Sequence, residues 1–218
     1  RYVTLKDGLM IARENTNTAA SGVAPNTDNP FRFMNVYQEI DMPGEWYIDI
    51  ENRKMYLWPL DNSENPDIAL TDSSCALVTL TNTGNITFRG ITFTETYGMG
   101  LHLSSAGNIT FDGCTVSATG RYGMRMDDVT NCTFKNGEFK YCGIGGIYLV
   151  TGGNYKTLES GNNLITNSVF DNCSFTKETY APGVALNGVG NVVSHCEFKN
   201  FSHSAMTFGG CLNVMEYN

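Results

Sequence analysis

The chain has 218 residues, 41% of them hydrophobic and only 17% charged, with a net charge of −8. That much apolar material excludes a disordered chain, and the acidic balance excludes a phosphate-binding surface, which needs clustered Lys and Arg. No run reaches the roughly 18 apolar residues that span a membrane as a helix, so neither nucleic acid nor membrane is an expected partner.

The start at Arg1, with no signal peptide in view, leaves room for processing or truncation. Residues 1–80 follow no period and read as a loop and hairpin cap region. Residues 15–30 are rich in Asn, Thr, Ala and Pro, the composition of a loop. Trp46–Ile50 and Lys54–Trp58 flank the turn Glu51-Asn52-Arg53, which is a hairpin signal. The hairpin is expected to cap an open sheet end, with Trp46 and Trp58 in the cap core rather than as sugar platforms.

Residues 81–218 repeat. Asn85–Phe93 (NITFRGITF), Asn108–Val116 (NITFDGCTV) and Asn131–Phe139 (NCTFKNGEF) share one pattern, continued by Asn162–Phe170, Gly190–Phe198 and the incomplete Asn213–Asn218. A second motif starts seven residues after the segment's last apolar residue at Gly100–Leu103, Gly123–Met126, Gly146–Leu149 and Ala205–Phe208, and recurs after a longer gap at Gly183–Leu186. Each unit alternates apolar with polar residues and is too short to bury its own face. Stacked units build a continuous core, so the sequence predicts an all-β, right-handed parallel β-helix of about 22–23-residue coils, cut off in mid-coil. Ile86, Ile109 and Cys132 form one inward row, and Phe88, Phe111 and Phe134 another. Ile91, Cys114 and Cys196 share a third inward position. The recurring Asn suits a positive-φ turn and can stack as an amide ladder. This explains the glycosylation-like patterns at Asn85, Asn108 and Asn131, which read as turns; Asn172 carries the same pattern. The seven cysteines form no CxxC pair and read as buried thiols rather than a metal site.

One coil is longer than the rest. Its extra residues fall at 150–162 and 171–182, on either side of the Gly-apolar-polar-apolar strand. Such insertions wall a groove over that strand's sheet. The outward residues there are His102, Arg125, Tyr148, Ala185 and Thr207. Nearby turns add Arg121, Tyr122, Tyr141 and His203, and the loops add Tyr155, Lys156, Glu159, Lys177, Glu178 and Tyr180. Aromatic, cationic and hydroxyl groups in one line suit a sugar. The substrate-binding candidates are His102, Arg125, Tyr148, Tyr155, Lys156, Tyr180 and His203.

Glycoside hydrolysis uses two carboxyl groups about 5 to 9.5 Å apart, and the outward line holds none. Asp127 and Asp128 fall at the sheet edge, where their spacing suits a turn as well as a site. Glu138 and Glu197 belong to another face and read as solvated surface, as does His195. Histidine spacing supports no metal site, and no cofactor is expected.

The run Pro43–Pro59 (PGEWYIDIENRKMYLWP) and the later segments Gly145–Gly153, Gly188–Phe198, His203–Gly210 and Asn213–Asn218 resemble bacterial right-handed β-helix carbohydrate-active proteins. Among these are glycoside hydrolases of the xylosidase and fucosidase kinds. The resemblance implies a polysaccharide or oligosaccharide partner, an extracellular or periplasmic location, and a catalytic acidic residue in coils after the EYN segment. The chain would then be a fragment of a hydrolase. His203 matches a groove histidine of that pattern. A polysaccharide lyase or epimerase, and a non-catalytic binding solenoid, remain as alternatives.

Overall fold

The structure is a computed structural model that describes residues 2–4, 10–12, 35–60, 68–71 and 73–218. It divides into two units, residues 1–69 and 70–218. The predicted loop at 15–30 lies outside the described residues.

In the first unit Tyr2–Thr4 pairs antiparallel with Met10–Ala12, and Trp46–Asp49 with Lys54–Leu57. The second pair is the predicted hairpin. Its turn is held by Asp49, which accepts from the Asn52 backbone N–H at 2.9 Å and from its side-chain amide at 2.8 Å. Those bonds hold the Asp49 carboxyl below its ordinary range. Tyr37, Tyr47 and Tyr56 cluster with centroids 5.0 to 6.1 Å apart. Trp46 and Trp58 were expected in a core, but they are 48% and 44% exposed. Among the described residues of this unit, the aromatic packing on the ribbon is that of Tyr37 on Tyr47 and Tyr56 rather than on the tryptophans.

The second unit is a parallel β-solenoid. We name its three faces by the strand order within a coil. Sheet A contains Val78–Thr81, the first part of Leu101–Asp112, Tyr122–Thr130, Gly145–Leu149, Val184–Leu186 and Met206–Phe208. Sheet B contains Gly84–Arg89, the second part of Leu101–Asp112, Thr133–Lys135, Leu164–Thr166, Val192–Ser194 and Val214–Glu216. Sheet C contains Thr92–Thr96, Thr115–Thr119, Glu138–Cys142, Val169–Asp171 and Glu197–Lys199. All neighbours pair in parallel, and sheets A and B are continuous through Leu101–Asp112.

The corners fall on columns of left-handed backbone. Asn85, Asn108, Asn131 and Asn162 have φ between 52° and 60°, the conformation that Asn tolerates best among residues with a side chain. Asn172 is likewise left-handed, at 53°, so all four glycosylation-like patterns sit on corners.

The motif glycine on sheet A has a different cause. A Cβ at Gly123 would lie 2.4 Å from Phe139 Cδ1, and one at Gly146 would lie 2.8 Å from Phe170 Cδ1. The glycines therefore make room for the phenylalanine stacks. Phe88, Phe111 and Phe134 stack along sheet B at 4.9 and 6.2 Å. Phe139, Phe170 and Phe198 stack along sheet C at 5.2 and 4.9 Å. As the sheet B row narrows to Ile165 and Val193, the sheet C row supplies the bulk.

The amide ladder exists, one residue away from the turn asparagines. The inward row Ile86, Ile109, Cys132 continues as Asn163, Asn191 and Asn213. Asn163 Nδ2 donates to Asn191 Oδ1 at 2.8 Å, and Asn191 Nδ2 donates to Asn213 Oδ1 at 3.2 Å. Inside the core each amide needs partners. The carbonyls of Val129, Gly152 and Asn187 accept the remaining Nδ2 protons of Asn163 and Asn191.

Cys114, Cys132, Cys142, Cys173 and Cys196 are buried free thiols, whereas Cys75 is exposed. Burial pushes the Cys132 and Cys196 thiols up. Cys173 is raised mostly by its hydrogen bond with Cys142, stacked in the adjacent coil, and then by burial.

Candidate functional site on sheet A

The outward residues of sheet A stand in register coil by coil. Thr79, His102, Arg125, Tyr148, Ala185 and Thr207 form one line, with neighbouring coils about 4.8 Å apart. A second outward line runs through Thr81, Ser104 and Asp127, two residues further along each strand.

Asp127 joins the lines. Its carboxylate accepts from Arg125 at Nε and Nη2, each at 2.8 Å, and lies 3.0 Å from His102 Nε2. The two-point Arg contact fixes the plane of the carboxylate. The Arg125 hydrogen bonds, helped by that of His102, hold Asp127 below the usual carboxylate range against the opposing effect of partial burial. Arg125 is raised in turn, chiefly by the hydrogen bonds to Asp127. An ionised carboxylate only accepts, so the proton in the third contact belongs to His102 Nε2. The side chains of His102, Asp127 and Arg125 are 28%, 25% and 35% exposed. A ligand can therefore reach groups that are already partly desolvated.

Beside them Tyr148 stacks on Tyr122, centroids 5.0 Å apart and planes 8° from parallel. The Arg125 guanidinium carbon lies 5.8 Å from the Tyr148 centroid, within cation–π range. Burial pushes the Tyr122 hydroxyl up, so it stays protonated.

The remaining predicted residues fall into two further groups. Tyr155 and Lys156 ride on a small hairpin, Gly153–Asn154 with Glu159–Ser160, beyond the C-terminal ends of the sheet A strands. The Tyr155 hydroxyl accepts from Gly188 N–H at 2.8 Å and so ties this insertion to the next coil. Lys156 is exposed, and its backbone N–H donates to Asn154 Oδ1. Tyr180 and His203 meet before the N-terminal ends of the strands, centroids 5.0 Å apart. There His203 Nδ1 is 2.8 Å from Ser204 Oγ. His102, Arg125 and Tyr148 are thus brought together, and the other four are not part of their hydrogen-bonded cluster.

The sequence left Asp127 open between a turn and a site at the sheet edge and did not count it in the outward line; its hydrogen bonds put it on this face. Strand alternation was the available signal: a residue two after outward Arg125 faces the same way. Its neighbour Asp128 is the turn residue, with φ 53° and a 3.2 Å bond from Ser105 Oγ. Glu138 and Glu197 occupy equivalent places on sheet C and pair with Lys140 and Lys199 at 3.1 and 3.4 Å. They are solvated surface, as read. His195 is exposed against Tyr217, also as read.

The geometry defines a parallel β-helix with one polar, aromatic-lined sheet face. A family model for the right-handed β-helix region matches residues 61–169. The chain belongs to this family, which fixes the handedness of the solenoid and names no reaction. Neither the curated proteins nor the solved structures give a match.

Proposed function

We propose that the chain is the glycan-engaging solenoid of a polysaccharide-acting protein, a glycoside hydrolase, with its saccharide lying across sheet A. The observation that carries this reading is the joined cluster: a stacked tyrosine pair, a guanidinium, a fixed imidazole and an ionised carboxylate on one partly exposed face. Aromatic rings and planar polar groups bind the two kinds of surface that a sugar ring presents. Because Arg125 holds Asp127 ionised, this carboxylate suits the base or nucleophile of a glycosidase and not its acid. The proton donor has to come from outside the cluster. A polymeric substrate places the protein outside the cytoplasm, in the bacterial periplasm or medium.

The lyase and epimerase reading fits less well. Those reactions need a cation to neutralise a uronate, and Arg125 is already neutralised by Asp127. Saccharide binding without cleavage is the second reading, favoured by the single carboxylate in the cluster. The test is reducing-sugar release and binding over a panel of aryl glycosides, neutral polysaccharides and uronic-acid polysaccharides, with Asp127→Asn as control. Cleavage that Asp127→Asn abolishes supports the hydrolase. Binding without cleavage selects the second reading, and no interaction with any member overturns both.

A further inference from the structure

The imidazole of His102 has one nitrogen assigned and one open. Asp127 accepts from Arg125 and stays ionised, so Nε2 carries a proton toward it. In the neutral ring Nδ1 is then an acceptor, and among the described residues no hydrogen bond is made to it. Arg125 commits Nε and Nη2 to Asp127; its Nη1 protons have no partner among the described residues. His102 and Arg125 are paired residues of adjacent coils and meet on the same Asp127 carboxylate, so the open acceptor and the open donors belong to side chains held side by side on one face. A hydroxyl group donates one hydrogen bond and accepts others. Two adjacent ring hydroxyls therefore match one acceptor beside one donor.

We propose that His102 Nδ1 and Arg125 Nη1 form a subsite for a vicinal hydroxyl pair of a neutral sugar, with Asp127 as the positioning residue that fixes both. One hydroxyl donates to Nδ1 and its neighbour accepts from Nη1, while Tyr148, beside the guanidinium, offers the apolar contact for the ring. A uronate carboxylate is a poor occupant here, because it would face Asp127 and has no hydroxyl proton for Nδ1. This subsite rests on the reading of sheet A as a saccharide-binding face.

The test has two readouts. Long-range ¹H–¹⁵N spectra of the imidazoles should show His102 with its proton on Nε2. In Asp127→Asn one of the two accepting oxygens becomes an NH2 group that cannot accept, so Arg125 loses one of its two contacts and the fixed placement of His102 and Arg125 loosens. Binding is then measured by calorimetry with xylotetraose, cellotetraose and tetragalacturonic acid. The expected result is that the wild type binds a neutral tetrasaccharide and tetragalacturonic acid at least tenfold more weakly. Asp127→Asn and His102→Leu should each weaken the neutral ligand at least tenfold, and His102→Gln, which keeps a side-chain acceptor, should recover part of the loss. If the wild type binds and these variants bind equally well, the subsite is wrong while the saccharide face stands. An Nδ1 proton in the wild type, or tighter binding of the uronate, also overturns the subsite. If the wild type binds none of the three, the subsite and the face fall together.

Discussion

Replacing Asn191 by Ala tests whether the amide ladder holds the lower coils in register. The Asn191 side chain is fully buried, and its Oδ1 accepts from the backbone and the side chain of Asn163. Its Nδ2 donates to Gly152 O, Asn187 O and Asn213 Oδ1, each at 3.2 Å. Truncation removes these bonds and leaves the Asn163 backbone N–H and the Asn187 carbonyl without these partners, while Gly152 O keeps the Val189 N–H and Asn163 Nδ2 keeps Val129 O. At about 1 kcal/mol per bond and 1–3 kcal/mol for each stranded group, with some relaxation, the loss is about 3–5 kcal/mol. With a urea slope of about 2 kcal/mol/M the midpoint should fall by about 2 M. Asn213→Ala, at a half-buried position where water can replace the amide, should cost about 1 kcal/mol. Both tryptophans lie in the first unit, so the assay is far-UV circular dichroism rather than tryptophan fluorescence. A loss below 1 kcal/mol for Asn191→Ala, or equal losses at the two positions, would refute the ladder as a stabilising element.

Gly123→Ala places a Cβ against Phe139 and the Cys142 sulfur. It should cost about 1–3 kcal/mol, and Phe139→Leu in the same chain should relieve part of that cost when the double mutant is unfolded in urea. In the native state an aromatic disulfide reagent should titrate Cys75 quickly and Cys211 slowly, and the five buried thiols only after denaturation, as followed by absorbance. Asp127 has a folded pKa below its unfolded value, so its contribution is present above about pH 4 and is lost as pH falls through the folded value. Asp127→Asn should therefore be less stable than wild type at pH 7 and show a shallower fall in melting temperature below pH 4; parallel curves would sink that assignment.

The fold was legible because a solenoid writes its register into the chain. The 23-residue offset from Phe88 to Phe111 to Phe134 is the spatial pairing itself, and the motif glycines Gly123, Gly146 and Gly183 mark where a ring passes behind the strand. The ladder was misplaced because the sequence offers two adjacent asparagines at 162 and 163. The upper coils teach the turn role of the first. Only the apolar row Ile86, Ile109 and Cys132 marks the second as inward. The exposure of the two tryptophans was not legible either, since aromatic residues on a hairpin look the same in sequence whether or not a second layer covers them.

The site was half legible for a related reason. Alternation gave the line His102, Arg125, Tyr148, because the spacing between coils is fixed by backbone pairing. It could not give the hydrogen bonds, which depend on rotamers that bring Arg125 onto Asp127 of its own strand rather than toward solvent. Once that contact forms, the chemistry of the whole face changes. The guanidinium ceases to be a free anion receptor, the carboxylate ceases to be a proton donor, and the imidazole of the neighbouring coil acquires a defined proton position. A row that reads in sequence as two cations and a ring is in the structure a nearly neutral, oriented hydrogen-bonding surface. On the proposed saccharide-binding reading, that difference is the reason to expect neutral sugars over uronates and to set the hydrolase and binding readings ahead of the lyase reading.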